Sequence, residues 1–225
     1  MRALIVGAGP SIFKYDHLDI LKKYGWTDIL IVPEVMLQIC LKRGITPDNF
    51  PNFYTATLED DHNTFHFFDD DIVRKYASKM HVIISERSPQ ETKDFIIENK
   101  FKSVNEVHKK ECVTTSNVGL FAFMIARDFL LCDEVVLIGL DQADNSFEHI
   151  NVPRDHPIYK NAFVEMTHPV FNTLCVMNPN QLKWREEFLE VYQQQKIKII
   201  NCTEGGSLFG DGIDCMKFED YICHH

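Results

Sequence analysis

The stretch Ala3-Leu4-Ile5-Val6-Gly7-Ala8-Gly9-Pro10-Ser11 decides the fold: an unbroken apolar run stops at a turn carrying two glycines. Consecutive apolar residues in so short a run predict a strand buried on both faces. Similar runs recur at Ile29 to Val32, Val82 to Ile84, Val135 to Leu140 and Ile197 to Ile200, with a weaker one at Phe53 to Leu58. Segments of helical spacing lie between most of them. Strands apolar on both faces and separated by helices predict a doubly wound, mostly parallel α/β sheet with helices on both faces.

Helix punctuation agrees. Ser88-Pro89-Gln90-Glu91 and Asn178-Pro179-Asn180-Gln181 each place a capping side chain, a proline and a residue able to reach back, which predicts helices over Pro89 to Asn99 and Pro179 to Gln195. Asp16 to Tyr24 reads as a short amphipathic helix stopped by Gly25. Asp69-Asp70-Asp71 supplies negative charge to the start of a helix through Ile72 to Tyr76. Ser116 to Leu131 is apolar nearly all round and predicts a buried helix. Residues 144–177 carry His149, His156, His168 and three prolines without a clear period, and are expected to form an irregular, lid-like insertion in a single nucleotide-binding domain spanning 1–225.

The 225 residues are 45% hydrophobic and 25% charged, which excludes a disordered chain. A net charge of −10, with Lys and Arg scattered in ones and twos, argues against nucleic acid as a partner. No apolar run approaches the roughly 20 residues that cross a bilayer, and no basic, apolar leader opens the chain at Met1-Arg2-Ala3, so a cytoplasmic protein without a transmembrane segment is expected. The seven cysteines show no C-x-x-C pair and read as reduced, mostly buried thiols. His224 and His225 are set aside from site reasoning.

Five segments and two histidines can carry chemistry. At Gly7-Ala8-Gly9-Pro10-Ser11 the glycines let the backbone turn tightly and approach a ligand, with a helix start behind them, which suits an anion such as a phosphate. A tight strand-to-helix turn without a ligand is the alternative. The spacing is not a dinucleotide fingerprint, because Ile12 stands where the third glycine would fall. Thr114-Thr115-Ser116-Asn117-Val118-Gly119 gathers hydroxyls and an amide at the start of the buried helix, more polar groups than one cap requires. Val135 to Leu140 delivers Asp141, with Asp144 beyond it, to the carboxyl end of a strand, where open α/β sheets bind ligands. Glu204, Gly205 and Gly206 form a glycine-rich turn after the last strong strand. Glu59-Asp60-Asp61 offers hard oxygen ligands for Mg²⁺ or, equally, a solvated acidic turn. His156 and His168 are candidate general bases, since imidazole titrates near neutrality.

Together these residues resemble the 6-hydroxymethylpterin diphosphokinase MptE-like family, which includes the motility-associated-factor glycosyltransferases. The likeness rests on the Gly7 to Ser11 turn, on Thr115-Ser116-Asn117-Val118-Gly119 leading to Leu137-Ile138-Gly139-Leu140-Asp141, on Asn201-Cys202-Thr203-Glu204-Gly205-Gly206 and on Arg43-Gly44-Ile45-Thr46-Pro47-Asp48. More distantly, the chain is similar to bacterial sialyltransferases that use a CMP-activated sugar, with Asn117 in place of the glycine of their T-S-G helix start. Where the diphosphokinase branch carries a T-D-L-D-G run, this chain has Thr57-Leu58-Glu59-Asp60-Asp61, with the acidic residues shifted and the glycine missing.

The resemblance implies a Rossmann-like, nucleotide-dependent transferase. The leading expectation is a glycosyltransferase with a CMP-sialic-acid-type nucleotide-sugar donor, a small-molecule or glycan acceptor and no cofactor. Gly7, Ala8, Gly9, Pro10, Ser11, Thr115, Ser116, Asn117, Gly119, Asp141, Glu204, Gly205 and Gly206 would then contact the nucleotide, and His156, His168 or Asp141 would be catalytic. The alternative is an ATP- and Mg²⁺-dependent 6-hydroxymethylpterin diphosphokinase with Glu59 and Asp60 on the metal. A non-catalytic nucleotide-binding module is a third reading.

Overall fold

Within the first strand, β1 (Arg2–Val6), Leu4 and Val6 pack into one hydrophobic cluster while Ala3 and Ile5 pack into another. β2 (Ile29–Pro33) divides the same way, with Leu30 and Val32 on one side and Ile29 and Ile31 on the other. Successive side chains of a strand point to opposite faces, so two cores require a sheet covered on both sides. The computed structural model describes residues 1–58, 64–108, 117–144, 162–210 and 212–224.

The remaining strands are β3 (Phe53–Thr57), β4 (His81–Ser85), β5 (Ser103–Val107), β6 (Glu134–Ile138), β7 (Val164–Thr167), β8 (Leu174–Met177), β9 (Lys198–Asn201) and β10 (Asp214–Cys215). Eight of the ten strands described form one sheet in the order β10-β9-β6-β1-β2-β3-β4-β5. Every ladder in it is parallel. The chain travels outward from β1 to β5, then returns to lay β6 on the other side of β1. The order therefore reverses between β1 and β6, and such a reversal opens a crevice at the strands' carboxyl ends. The doubly wound, Rossmann-like class expected from the apolar runs is the observed one.

The helices are α1 (Ser11–Lys14), α2 (His17–Tyr24), α3 (Glu34–Lys42), α4 (Phe65–Phe68), α5 (Asp71–Tyr76), α6 (Gln90–Glu98), α7 (Val118–Met124), α8 (Pro179–Gln194) and α9 (Phe218–Ile222). Met36 and Leu37 of α3 with Phe218 and Tyr221 of α9 fill the first cluster. Leu120 to Met124 of α7 and Phe188 of α8 fill the second. α7 is as buried as its composition predicts, but it widens into a π-helical turn over Ile125–Phe129 rather than continuing as an α-helix to Leu131. Gly25, at φ 77°, stops α2 as expected. Asp70 caps α5 by accepting from the Ile72 N–H.

The two capping motifs behave differently. At α8 the full box forms: Asn178 accepts from the N–H groups of Asn180 and Gln181, and the Gln181 side chain accepts in return from the Asn178 N–H. At α6 it does not. Pro89 itself takes the cap position, at φ −55° and ψ 145°, which moves Ser88 one residue out of reach of the free N–H groups.

The described end of the 144–177 segment, residues 162–177, is more regular than expected. Residues 145–161, with His149 and His156, lie outside the described residues. Beyond them β7 and β8 pair as an antiparallel hairpin, tied to the main body by the Asp144–Val176 bridge and a small cluster of Ala143, Cys175 and Met177. Among the described residues no helix is long and apolar enough to cross a membrane. Of the described cysteines, Cys40, Cys132, Cys175 and Cys202 are buried, and burial pushes the Cys40 thiol up to about 12.

Candidate functional site

Where β1 and β6 end side by side, their loops interlock. The Gly7 N–H donates to the Ile138 carbonyl and the Gly9 N–H to the Gly139 carbonyl, each at 2.7 Å. A Cβ on Gly7 would stand 2.2 Å from the Gly139 oxygen, and one on Gly9 would stand 2.0 Å from Asp141 Oδ2. These glycines are therefore required by the protein's own packing, since nothing larger lets the two loops meet. A Cβ on Gly119 would press on the flexible end of the Leu140 side chain, whereas Gly206, at φ 73°, is held against the backbone of Asp141.

Asp141 is the centre of this interlock. It is 2% exposed, and its Oδ2 accepts from the Ser11 hydroxyl at 2.6 Å and from the Ser11 N–H at 3.4 Å. Hydrogen bonds to an ionised acceptor are short and strong, so this one ties the start of α1 to the loop after β6. The donors of Ser11 that the sequence suggested for a phosphate are thus turned onto a carboxylate. Behind the loop, Thr203 Oγ1 accepts from the Leu140 N–H, the Ser207 N–H donates to the Asp141 carbonyl, and the Ser207 hydroxyl donates to the Gln142 carbonyl at 2.9 Å.

In front of the loop lies a cleft of about 240 Å³ at the reversal point of the sheet. Gly7 to Pro10 form one wall, Asn117, Val118 and Gly119 a second, Gly139 to Asp144 the floor, and Pro33, Val35, Gln181 and Trp184 the remainder. Asp141 and Asp144 are the charged residues among those described, and no lysine, arginine or histidine joins them there. Asp144 Oδ2 accepts from Gln181 Nε2 at 3.4 Å, which connects the floor to α8. Asn117 caps α7 by accepting from the Leu120 N–H at 3.0 Å.

The structure therefore brings Gly7, Ala8, Gly9, Pro10, Asn117, Gly119 and Asp141 to one cleft and leaves other expected residues elsewhere. Ser11 is buried beneath it. Glu204, at φ 61°, accepts from the Phe218 N–H at 3.1 Å and faces His17 Nε2 at 3.3 Å, so it fastens the turn to α2 and α9. Gly205 is buried in that turn, and none of Glu204, Gly205 and Gly206 lines the cleft. His168 is fully buried at the hairpin turn, between the rings of Phe171 and Phe209, each 4.9 Å away. Its Nδ1 accepts from the N–H groups of Val170 and Phe171, and desolvation lowers its pKa. It does not reach the cleft. Thr115, Ser116, His156, Glu59 and Asp60 lie outside the described residues.

Among the polar and aromatic cleft residues, Gln142 and Trp184 had no place in the sequence reading, and Gln181 entered it only as a helix cap. Gln142 sits inside the Asp141-to-Asp144 segment at the strand end, a position that draws attention to its neighbours. Gln181 and Trp184 were absorbed into the helix that carries them.

The family model described as 6-hydroxymethylpterin diphosphokinase MptE-like matches residues 1–146. No curated protein matches the chain.

Proposed function

Because this chain belongs to the 6-hydroxymethylpterin diphosphokinase MptE-like family, whose name points to transferase chemistry, we propose that it transfers a pyrophosphoryl group from a nucleoside triphosphate to an alcohol borne on a planar heterocycle. The observation that carries this reading is the charge of the cleft: Asp141 and Asp144 face it, and no basic side chain does among the described residues. A polyphosphate is stable beside two carboxylates only when a divalent cation stands between them. One protein carboxylate suffices for Mg²⁺, which takes the rest of its ligands from water and phosphates, so Asp141 would hold it and Asp144 is left for proton transfer. When bound, Mg²⁺ supplies charge neutralisation of the triphosphate.

The chain's own residues position and deprotonate. Ser11 orients the Asp141 carboxylate, and Gln181 orients that of Asp144. The α7 start at Asn117 to Gly119 offers backbone N–H groups to the phosphates. In the transfer, the alcohol oxygen attacks the β-phosphorus, the bond to the α-phosphate oxygen breaks, a nucleoside monophosphate leaves, and the alcohol proton passes to Asp144. Asp144 suits this role because it is more exposed than Asp141, whose Oδ2 already accepts from Ser11.

A nucleotide-activated sugar of the CMP-sialic-acid type is the second reading. It is favoured by the capped α7 start at the cleft, since one phosphodiester needs less charge compensation than a triphosphate. The sequence ranked this donor first; the family match and the acidic floor support the opposite order. Incubation with ATP, Mg²⁺ and 6-hydroxymethyl-7,8-dihydropterin should yield AMP and a pterin pyrophosphate, and Asp144→Asn should lower turnover by about 10²-fold or more. Metal-independent release of CMP from a CMP-sugar, with no AMP from ATP, would overturn the assignment.

A further inference from the structure

Gln142 and Trp184 face the same cleft from different elements, and both lie outside the roles assigned so far. Both polar atoms of the Gln142 amide are buried and meet no hydrogen-bond partner among the described residues. Burying an amide unpaired is costly, and such groups in native proteins call for an explanation. The backbone holds the residue in place: Gln142 is at φ 45°, a left-handed conformation that side chains rarely adopt, and its carbonyl accepts from Ser207. The other cleft glutamine, Gln181, is already engaged with Asn178 and Asp144.

Trp184 is carried on a fastened stretch of α8. Gln181, one turn before it, belongs to the capping box, and Arg185, beside it, donates from Nε to the Ser207 carbonyl at 2.8 Å. The same Ser207 donates to the Gln142 carbonyl, so one residue anchors both the helix of Trp184 and the loop of Gln142. Rigid support of this kind gives a site its geometry.

We propose that Gln142 and Trp184 are the specificity residues for a planar nitrogen heterocycle, Trp184 stacking on its face and the Gln142 amide turning from its buried position to pair with an edge that carries an adjacent donor and acceptor. An amide presents one N–H and one carbonyl to such an edge, and aromatic rings accept any base face. Nucleobases and pterins share this chemistry. The inference rests on the cleft being the transfer site, and it adds which groups of donor or acceptor the site reads.

The test uses calorimetric titration of the full chain with ATP and Mg²⁺, with tripolyphosphate and Mg²⁺, with CMP, and with 6-hydroxymethylpterin. Fluorescence provides a second readout, because the chain has two tryptophans and Trp26 is buried with its Nε1 donating to the Ile29 carbonyl. Trp184→Ala should weaken the heterocyclic probes by about 5- to 100-fold, and Trp184→Phe should restore most of the loss. Gln142→Ala should weaken them about tenfold. The same variant should leave the melting temperature of the ligand-free protein unchanged or raised, since it removes an unsatisfied group, an effect that a structural role for the amide would reverse. Tripolyphosphate should bind all variants alike.

Preference for ATP or CMP over the pterin assigns the heterocycle to the donor, and the opposite preference assigns it to the acceptor. Equal binding of every heterocycle to wild type, Trp184→Ala and Gln142→Ala would overturn the inference while leaving a polyphosphate cleft intact. Binding of heterocycles with the expected losses, but of no triphosphate, would overturn the transfer reading and keep the inference. Failure of every probe to bind wild type would overturn both.

Discussion

Asp141 is a carboxylate buried to 2% exposure, and a charge so placed must be compensated by donors. Ser11 provides them, from hydroxyl and backbone, across 130 residues of sequence. Removing either side alone should cost more than removing both, because a buried group is then left unpaired. A double-mutant cycle of Ser11→Ala and Asp141→Asn, read by denaturant unfolding, should give a coupling of about 1 to 3 kcal/mol. Additive effects would show that the two residues act independently. At this scale the sequence singled out Asp141 and Asp144 from their place after an apolar run, and it read the glycines either as a ligand turn or as a tight strand-to-helix turn without one. The distances assign them to the contact between two loops, a pairing of Gly7 with Gly139 and of Gly9 with Asp141 that no local pattern encodes. Gln142 and Trp184 were illegible for a related reason. An unpartnered amide and a half-exposed indole on a helix look, in one dimension, like any polar loop residue and any amphipathic turn.

Elements were legible to the extent that burial was complete. β1, β2, β4 and β6 are buried along nearly their whole length and read as unbroken apolar runs. β5 is the sheet edge, with Val104 and Glu106 exposed, so Ser103-Val104-Asn105-Glu106-Val107 carries no such run. β7 and β8 are four residues each and stand apart from the main sheet, too short for a strand pattern to show against irregular surroundings. Their hairpin makes a pH-dependent prediction. Desolvation lowers the His168 pKa from its ordinary 6.5, so above that pH the ring is neutral whether the chain is folded or not. As pH falls below 6.5 the unfolded chain takes up the proton while the folded one resists, and stability is lost until the folded pKa is passed. His168→Phe should remove this component, narrowing the difference in melting temperature between pH 7.5 and pH 5, and turnover at pH 7.5 should persist because the residue does not line the cleft. An unchanged pH profile, or loss of turnover without loss of stability, would return His168 to the list of bases.

For the whole molecule, the cleft lies at the reversal point of the strand order. Four features converge there that are distant in the chain: the turn after β1, the start of α7, the loop after β6 and the first turns of α8. The family match ends at residue 146, so it covers the first three and not the helix that brings Gln181 and Trp184. A fold of this kind hosts many chemistries, and the charge of the cleft is what narrows them here. The most direct test of the account is the thermal stability of the full chain with ATP, measured with and without Mg²⁺. A ligand that binds only the folded state adds about 2.7 kcal/mol when present at about a hundred times its Kd. ATP should raise the melting temperature only when Mg²⁺ is present, and Asp141→Asn should weaken that dependence on the metal. Equal or greater stabilisation by ATP without the cation would contradict it.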